Sequence, residues 1–481
     1  MAEDSGAVAA PAVRAPVGER IGRANLRTVE ASGLSLAGLA PTMAMALGTA
    51  FAASEAGGAV PLSYLLAMIG SFSLAFVVVR FARRYDVASG VAFTYVRASL
   101  GKLAGFVTGW LYVAAWLSST AVVLAIGGVS FSALLARNSV NISWAWIFLA
   151  ELAIVTALNY LGVRPSVRLL VLLELVSMAT LAGVMIHVIA VGGASGLSWR
   201  PFDPSLSPKG WSGIGYGMIY GFSGFAGFEA AAALGRESRD PRRVIPRAII
   251  FSLLAAAVFY ILVTYALSIG YGITHAGTWA GDPAPLDTIV GRFSGSAWAQ
   301  TIDAMVAISA FSSGLGLVTL STRVLFDISR DGQAPRALSW LQPRFATPYV
   351  GVILAAVIAL VLALAVGLAT TPSTMIGFLA GANTLGLILV YVVMSLGALW
   401  AFLPSVYARA ESAGAAVLGI GVPVVAVGLL GYAFYASVVP QPAFPYNLTP
   451  VAVAGVVLIS LIAAAIMKRR GSEPDFGRRG T

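Results

Sequence analysis

The sequence lacks cysteine and contains very little charge. Its 481 residues include no cysteine, which excludes disulfide bonds and cysteine-ligated metal or haem sites. Only 10% of the residues are charged, whereas an average soluble domain carries about 25%. So little charge could not cover the surface of a soluble protein of this length. Together with a mean hydropathy of +0.87, this scarcity indicates that lipid is the solvent for most of the surface.

Histidine and the common nucleotide-binding and metal-binding motifs are also rare or missing. The two histidines, His187 and His275, are too few for a histidine-rich metal site. The sequence has no G-x-x-x-x-G-K-[S/T] loop for ATP and no H-E-x-x-H motif for zinc. The net charge of +10 comes from short basic clusters, without the dense basic patch and interleaved aromatics of a nucleic-acid surface. We therefore expect no enzyme activity, no cofactor, no metal site and no nucleic-acid partner.

Long apolar runs dominate the rest of the sequence. A helix that crosses a bilayer needs roughly 20 mostly apolar residues. These runs predict an all-α integral membrane protein with about twelve transmembrane helices. The candidate spans lie near 32–54, 60–80, 103–135, 144–162, 167–192, 211–234, 245–272, 298–327, 348–369, 374–402, 414–438 and 448–467.

The distribution of Lys and Arg predicts the orientation of these spans. Cytoplasmic loops of membrane proteins carry an excess of both residues. With the N-terminus inside, 26 of the 30 Lys and Arg residues fall on the cytoplasmic side. We therefore predict a multi-pass protein of the cell membrane, with a cytoplasmic N-terminal arm over 1–28 and a cytoplasmic C-terminal tail over 468–481. The four basic residues on the outer side are Arg137, Arg200, Lys209 and Arg292.

Two of the spans contain helix-breaking residues at corresponding positions. The first reads LAGLAPTM over Leu36–Met43, and the sixth reads YGFSGFAGFE over Tyr220–Glu229. Pro41 has no backbone N–H, so the carbonyl of Ala37 loses its helical donor. Irregular backbone within a membrane is tolerated only where it is buried in protein or lines a cavity. Matching breaks in the two halves of a transporter therefore indicate its substrate site.

Backbone groups at the two breaks suit a zwitterion. The free N–H groups near Thr42 and Met43 would bind a carboxylate, and freed carbonyls at both breaks would accept from an ammonium group. Glycine and proline are common in membrane helices and often serve only close packing, but two matching breaks favour a binding site. The predicted substrate-binding residues are Ala37, Gly38, Ala40, Pro41, Thr42, Met43, Phe222, Ser223, Gly224, Phe225 and Ala226.

The predicted walls of this site carry no counter-charge for a cationic side chain. Tyr112 and Trp116 in the third span and Asn383 in the tenth are the side chains that we expect to line it. All three are uncharged. This pattern favours a neutral substrate over a cationic one.

Three segments resemble signatures of the amino acid–polyamine–organocation transporters. One lies in the sixth span and the loop after it, one leads into the third span, and one ends the eighth. They are Gly224–Glu229 with Glu237–Ala248, Gly90–Arg97 with Gly109-Trp110, and Ser321–Phe326 with Ser329–Pro335. The resemblance implies an amino acid permease, a secondary transporter that carries amino acids or related amines.

The resemblance also implies a division of the chain. Its members have a five-plus-five inverted repeat of the leucine-transporter type, followed by two extra helices. In this chain the transporter domain would cover 29–467, with the repeats at about 29–192 and 211–402 and the extra helices at 414–467. Many members have Gly-Ser-Gly or Gly-Thr-Gly at the first break, whereas this chain has Ala40-Pro41-Thr42. The pocket floor is therefore bulkier here, and no particular substrate carries over.

Carboxylates within the spans are candidates for ion coupling. A carboxylate at the bilayer centre costs about 2.5–3.5 kcal/mol, so such residues usually pair, protonate or face the interior of the bundle. Glu174 in the fifth span is the first candidate for carrying a proton, and Glu229 in the sixth is the second. A structural hydrogen-bonding role is the alternative for each. Sodium coupling would instead use the hydroxyls of the eighth span, with Ser312 and Ser313 as its candidate ligands.

Several functions remain open at this point. Proton-coupled symport is our leading prediction, and amino acid exchange or sodium-coupled transport are the alternatives. A solute sensor built on the same fold is a further alternative. A membrane enzyme would need clustered ligand-type residues that the sequence lacks, and a channel usually has a repeated pore loop.

Overall fold

The computed structural model describes residues 28–84, 91–162, 167–229, 241–408 and 417–469. Within these ranges the regular structure is helical and no β-strand occurs. The N-terminal arm before Thr28, the tail after Arg469 and residues 230–240, which include the start of the signature segment after the sixth span, lie outside the described residues. The domain boundaries predicted from the sequence therefore stay predictions.

The first predicted span is not one continuous helix. It consists of three helices, which are α1 (Thr28–Leu39), α2 (Pro41–Ala44) and α3 (Gly48–Ala56). Ala40 separates α1 from α2 with a left-handed backbone, at φ 43° and ψ 60°. A residue with a Cβ adopts this conformation at a cost, so the surroundings must hold it there. The next helix, α4, covers Val60–Arg84.

The middle of the chain continues with six further α-helices. These are α5 (Val91–Leu100), α6 (Lys102–Arg137), α7 (Trp144–Tyr160), α8 (Val167–Ala190), α9 (Gly210–Phe225) and α10 (Pro241–Tyr271). Two short helices then precede the eighth predicted span, and they are α11 (Ala276–Ala280) and α12 (Pro285–Ser294). The remaining helices are α13 (Ser296–Arg330), α14 (Tyr349–Gly367), α15 (Pro372–Ala408), α16 (Val422–Ala436) and α17 (Thr449–Arg469).

The described part of the chain contains nine helices that are long and apolar enough to cross a membrane. One of the nine runs from Pro41 to Ala82, so it joins segments that we predicted as two spans. The nine include Leu418–Ala436, which extends α16 at its start. The apolar helix α7 has 17 residues and α9 has 16, so both are shorter than any of the nine. The chain is thus a multi-pass helical membrane protein. The count of twelve spans stays a prediction.

Helices α6 and α13 lie side by side at the centre of the packing, and α15 also packs along α6. Helices α3 and α4 pack against α9, so both predicted breaks face the same interior. At the periphery, α17 buries only Thr449, Val453 and Ser460. Lipid-facing helices of this kind need apolar side chains around most of their circumference, and the sequence of α17 provides them.

An ionic cluster joins three helices at one end of the bundle. Arg137 at the end of α6 pairs with Asp287 of α12, and its Nε lies 3.6 Å from Oδ2 of Asp303 on α13. Burial raises the pKa of the Asp287 carboxyl, and the neighbouring Arg137 guanidinium opposes this shift. Leu286, Ile289 and Val290 are buried on the other face of α12. One cation therefore holds two carboxylates and anchors α12 to the bundle.

We expect Arg137→Gln to lower thermal stability, because Asp287 and Asp303 would then face each other without a cation. The loss should be about 1–3 kcal/mol, below the value for fully buried pairs because Arg137 is 32% exposed. Thermal unfolding in detergent measures the effect, with the exposed Arg292→Gln on α12 as the control. Equal melting temperatures for both variants and the parent protein would contradict this role.

Candidate functional site

The first break frees three consecutive carbonyl groups. Pro41 cannot donate to the carbonyl of Ala37. The N–H of Thr42 donates to Oε1 of Glu174 at 3.2 Å, instead of to the carbonyl four residues earlier. The N–H of Met43 likewise donates to Oγ of Ser309, at 3.4 Å. The carbonyls of Ala37, Gly38 and Leu39 therefore lose their helical donors, as the sequence predicted for this stretch.

The amide groups of the first break are already engaged by side chains. Glu174 on α8 is 2% exposed, and its second oxygen accepts a hydrogen bond of 2.7 Å from Ser309 on α13. A carboxylate and a hydroxyl thus occupy the amides that we assigned to the carboxylate of the substrate. The sequence placed Glu174 in the fifth span but did not pair it with Thr42. Ser312 and Ser313 were the candidate ligands predicted on the eighth span, whereas the hydroxyl that contacts Glu174 is that of Ser309.

The sixth break follows the last residue of α9. Ala226 is extended, and Gly227 has a positive φ of 100°. A Cβ at Gly227 would lie 3.1 Å from the carbonyl oxygen of Gly38, so only glycine allows the two breaks to approach this closely. Ser35 of α1 donates a hydrogen bond of 2.7 Å to the carbonyl of Phe228. The two breaks are therefore in direct contact.

The carbonyls of the sixth break are only partly free. The Ser223 carbonyl accepts from the N–H of Ala226 at 3.2 Å, and the Gly224 carbonyl accepts from the Tyr260 hydroxyl at 2.6 Å. The amide of Ala226 is thereby drawn away from the carbonyl of Phe222. Among the acceptors predicted in this span, the Ser223 carbonyl is thus engaged within the break.

A second buried carboxylate fixes the sixth break to the rest of the bundle. Oε1 of Glu229 accepts from the hydroxyls of Tyr391 at 2.6 Å and Tyr112 at 3.2 Å. Its Oε2 accepts from the N–H of Gly227 at 3.2 Å. Glu229 is 3% exposed. Tyr112, predicted as a pocket wall, is thus a partner of Glu229. No motif in the sequence indicates Tyr391 on α15 as the second tyrosine partner.

A small cavity of about 80 Å³ lies between the two breaks. Eight of the predicted site residues line it, and they are Gly38, Met43, Trp116, Ser223, Gly224, Ala226, Ser313 and Asn383. Nine others do not belong to this lining, and they are Ala40, Pro41, Thr42, Phe222, Phe225, Tyr112, Glu174, Glu229 and Ser312. The side chain of Ala37 lies outside the described part of the structure. The structure thus brings the two breaks, the third span, the eighth and the tenth around one space.

Comparison with known proteins decides the family. The family model described as amino acid permease matches residues 32–470. The chain belongs to the amino acid permease family. Membership fits the two broken helices around a central cavity. It corresponds to the superfamily that the sequence motifs resemble.

Individual members of the amino acid permease family differ in what they are named for. The chain is 27% identical over 323 residues to the branched-chain amino acid permease BcaP of Bacillus subtilis, covering 63% of this chain and 66% of that protein. It is also 27% identical over 314 residues to the low-affinity putrescine importer PlaP of Escherichia coli, covering 63% and 66%. The matched region thus spans just under two thirds of either relative. Both names describe transporters and not enzymes.

A solved structure shares the fold. The manganese transporter of Eremococcus coleocola, crystallised with an aromatic bis-isothiourea compound, aligns with a TM-score of 0.51. The alignment covers 92% of this chain and 95% of that chain at 14% identity. At this identity the likeness concerns the fold alone. It relates this permease to a transporter architecture.

We expect Gly227→Ala to weaken substrate binding and lower the melting temperature. The added Cβ would meet the Gly38 carbonyl in a conformation that L-residues rarely adopt, at a cost of about 1–2 kcal/mol or more. Gly183→Ala on α8 is the matched control, because a Cβ there meets nothing within 4 Å. Thermal unfolding with and without amino acids measures both effects. Equal behaviour of the two variants would contradict the role of the contact.

Proposed function

We propose that this permease is a secondary active transporter that carries amino acids across the cell membrane by alternating access. The observation that carries this proposal is the meeting of two helix breaks at one cavity, with uncompensated carbonyls on its wall. Unpaired backbone groups within a membrane are costly unless a ligand or water binds them. The family supports the same assignment.

The proposal includes an architecture of twelve spans with both termini in the cytoplasm. The five-plus-five repeat would relate the first break to the sixth, and the contact between Gly38 and Gly227 is consistent with that relation. The distribution of Lys and Arg supports the orientation. Movement of α1–α3 and α9 against α6 and α13 would open the cavity to each side in turn.

The two ends of an amino acid would bind at the first break in our proposal. The ammonium group would donate to carbonyls of Ala37–Leu39, which carry partial negative charge and lack helical donors. The carboxylate would bind the amides of Thr42 and Met43, which requires that Glu174 and Ser309 release them. A substrate without a carboxylate would leave this half of the site unused.

Competition for one pair of amides also provides a coupling mechanism. An ionised Glu174 would repel the carboxylate of an arriving substrate, because both would lie beside Thr42. A proton on Glu174 removes this charge and weakens its hydrogen bond to the amide. Since coupling energies are reciprocal, bound substrate would in turn favour protonation of Glu174. The result is symport of one proton with the amino acid.

Sodium coupling and exchange are the competing mechanisms. Ser313 lines the cavity and Ser312 lies beside it on α13, so both hydroxyls are near the freed carbonyls. These oxygens are the type of ligand that a sodium ion prefers. An exchanger would need no coupling ion at all. The test of Glu174 below separates the three mechanisms.

Free amino acids should raise the melting temperature of the purified protein, whereas their amides and N-acetyl derivatives should not. The amides remove the carboxylate and the N-acetyl derivatives remove the ammonium, so each leaves one half of the backbone site unpaired. Thermal unfolding against a panel of matched free and blocked amino acids measures the difference. Equal shifts in melting temperature with the blocked compounds would show that the backbone does not bind both the carboxylate and the ammonium group of the amino acid.

Glu174→Gln should abolish accumulation driven by a pH gradient while exchange of substrate for substrate persists. The amide keeps the size and polarity of the side chain but cannot take up a proton. Uptake of labelled amino acid into proteoliposomes, with imposed pH or sodium gradients, measures both activities. Glu151→Gln is the control, because the carboxyl of Glu151 is packed beside Gly127 and does not line the cavity.

Three results would contradict the proton assignment. The first is uptake by the parent protein that is driven by a sodium gradient and unaffected by a pH gradient, which would make Ser312 and Ser313 the residues to test. The second is equal loss of accumulation in Glu174→Gln and Glu151→Gln. The third is pH-driven accumulation that survives Glu174→Gln, which would make Glu229 the next candidate.

A further inference from the structure

We propose that the substrates are neutral amino acids with small aliphatic side chains, and that α6 and α13 provide the residues that select them. This inference rests on the proposed transport function. Family membership does not decide the substrate class, because one relative is named for branched-chain amino acids and another for putrescine. The residues around the cavity of this chain are what distinguish the two classes.

Part of the cavity wall is aliphatic. Val122, Val123 and Ile126 of α6 belong to this part, together with Leu317 of α13 and Ile376 of α15. The three residues of α6 fall on one face of the helix, since positions three and four apart project to the same side. With the charged ends of the amino acid at the helix breaks, its side chain would contact this wall.

The described lining of the cavity contains no charged side chain. The two carboxylates at the helix breaks already accept hydrogen bonds and are not part of this lining. Glu174 is bonded to Thr42 and Ser309, and Glu229 is bonded to two tyrosines and the amide of Gly227. A side-chain ammonium would therefore lose its water without gaining a counter-charge, which disfavours lysine, arginine and diamines.

The polar side chains beside the wall are partnered with each other. Nδ2 of Asn383 donates to the hydroxyl of Ser119 at 2.9 Å, and the Thr384 hydroxyl donates to Oδ1 of Asn383 at 3.0 Å. The hydroxyl of Ser119 in turn donates to the carbonyl of Ala115 at 2.9 Å. Because these groups satisfy each other, an aliphatic side chain can occupy the cavity without leaving them unpaired.

Aromatic rings limit the size of the side chain. Phe51, Trp116 and Tyr220 border the cavity, and the rings of Phe51 and Tyr220 lie 5.4 Å apart. A volume of about 80 Å³ leaves space for a small side chain. Each methylene group of the substrate side chain that fits the cavity increases the affinity about fourfold. A group that does not fit would overlap with the surrounding rings and prevent binding. Alanine, valine and leucine should thus be preferred over phenylalanine and tryptophan.

The first test is competition in proteoliposomes that contain the full chain. Uptake of labelled leucine or valine should be inhibited by unlabelled alanine, valine and leucine at concentrations at least about tenfold lower than those needed for lysine, arginine or putrescine. Preference for a cationic amino acid or putrescine overturns this inference and leaves the proposed transport function intact. Absence of uptake for every compound in a labelled panel overturns the proposed function itself.

The second test places a carboxylate in the wall. Val123→Asp should shift the ratio of inhibition by lysine over leucine by about tenfold towards lysine, because it adds the missing counter-charge. Val123→Asn is the matched control, which adds polarity of the same size without charge. Equal shifts in both variants, or no shift in either folded variant, would show that this wall does not select against cations.

A third variant keeps the inference testable if Val123→Asp does not fold. Ile126→Ala enlarges the wall, so inhibition by phenylalanine should strengthen relative to alanine by several-fold. Ile250→Ala on α10 is the control, because Ile250 faces outwards and is 50% exposed. An unchanged ratio in Ile126→Ala, or the same change in Ile250→Ala, would overturn the assignment of the wall.

Discussion

The carboxylate of Glu174 bonds to an amide that the first helix would otherwise leave unpaired in the membrane interior. Pro41 and the left-handed Ala40 interrupt the helical ladder, and an unpaired amide in lipid costs several kcal/mol. Glu174 and Ser309 supply the missing acceptors from two other helices. The break, the position of α2 and the loss of helical donors by the Ala37–Leu39 carbonyls all depend on this arrangement.

The sixth break is held on a comparable principle with a different set of partners. Glu229 accepts hydrogen bonds from two tyrosine hydroxyls and one backbone amide, so a single carboxylate connects the break to α6 and α15. Each break is thus fixed by an acidic side chain that accepts hydrogen bonds from backbone and hydroxyl groups. Between these two fixed points lies the cavity, whose lining includes Gly38 and Leu39 of the first break and aliphatic residues of α6, α13 and α15.

Local chemistry made several features of this molecule predictable from the sequence. Pro41 lacks a backbone donor and the sixth span contains several glycines, and these residues indicate where the two helices open. Each position can be predicted from the residue types at the break itself, without knowledge of the rest of the fold. The partners of those breaks are a different matter. Thr42 and Glu174 are 132 residues apart, and nothing in either segment identifies the other. Helical register also limits such predictions, since Ser309, Ser312 and Ser313 belong to one helix but only Ser309 contacts Glu174.

The distance along the chain between bonded groups has a consequence for how this protein is made. The acceptor for the Thr42 amide is in α8, and the acceptor for the Ser35 hydroxyl is Phe228, 193 residues further along. When the first helix enters the membrane, neither partner has been synthesised. Until α8 arrives, the open amides must be hydrated or bonded within the insertion machinery. The first span therefore reaches its final backbone geometry only after later helices are in place, so assembly of the bundle follows an order different from that of synthesis.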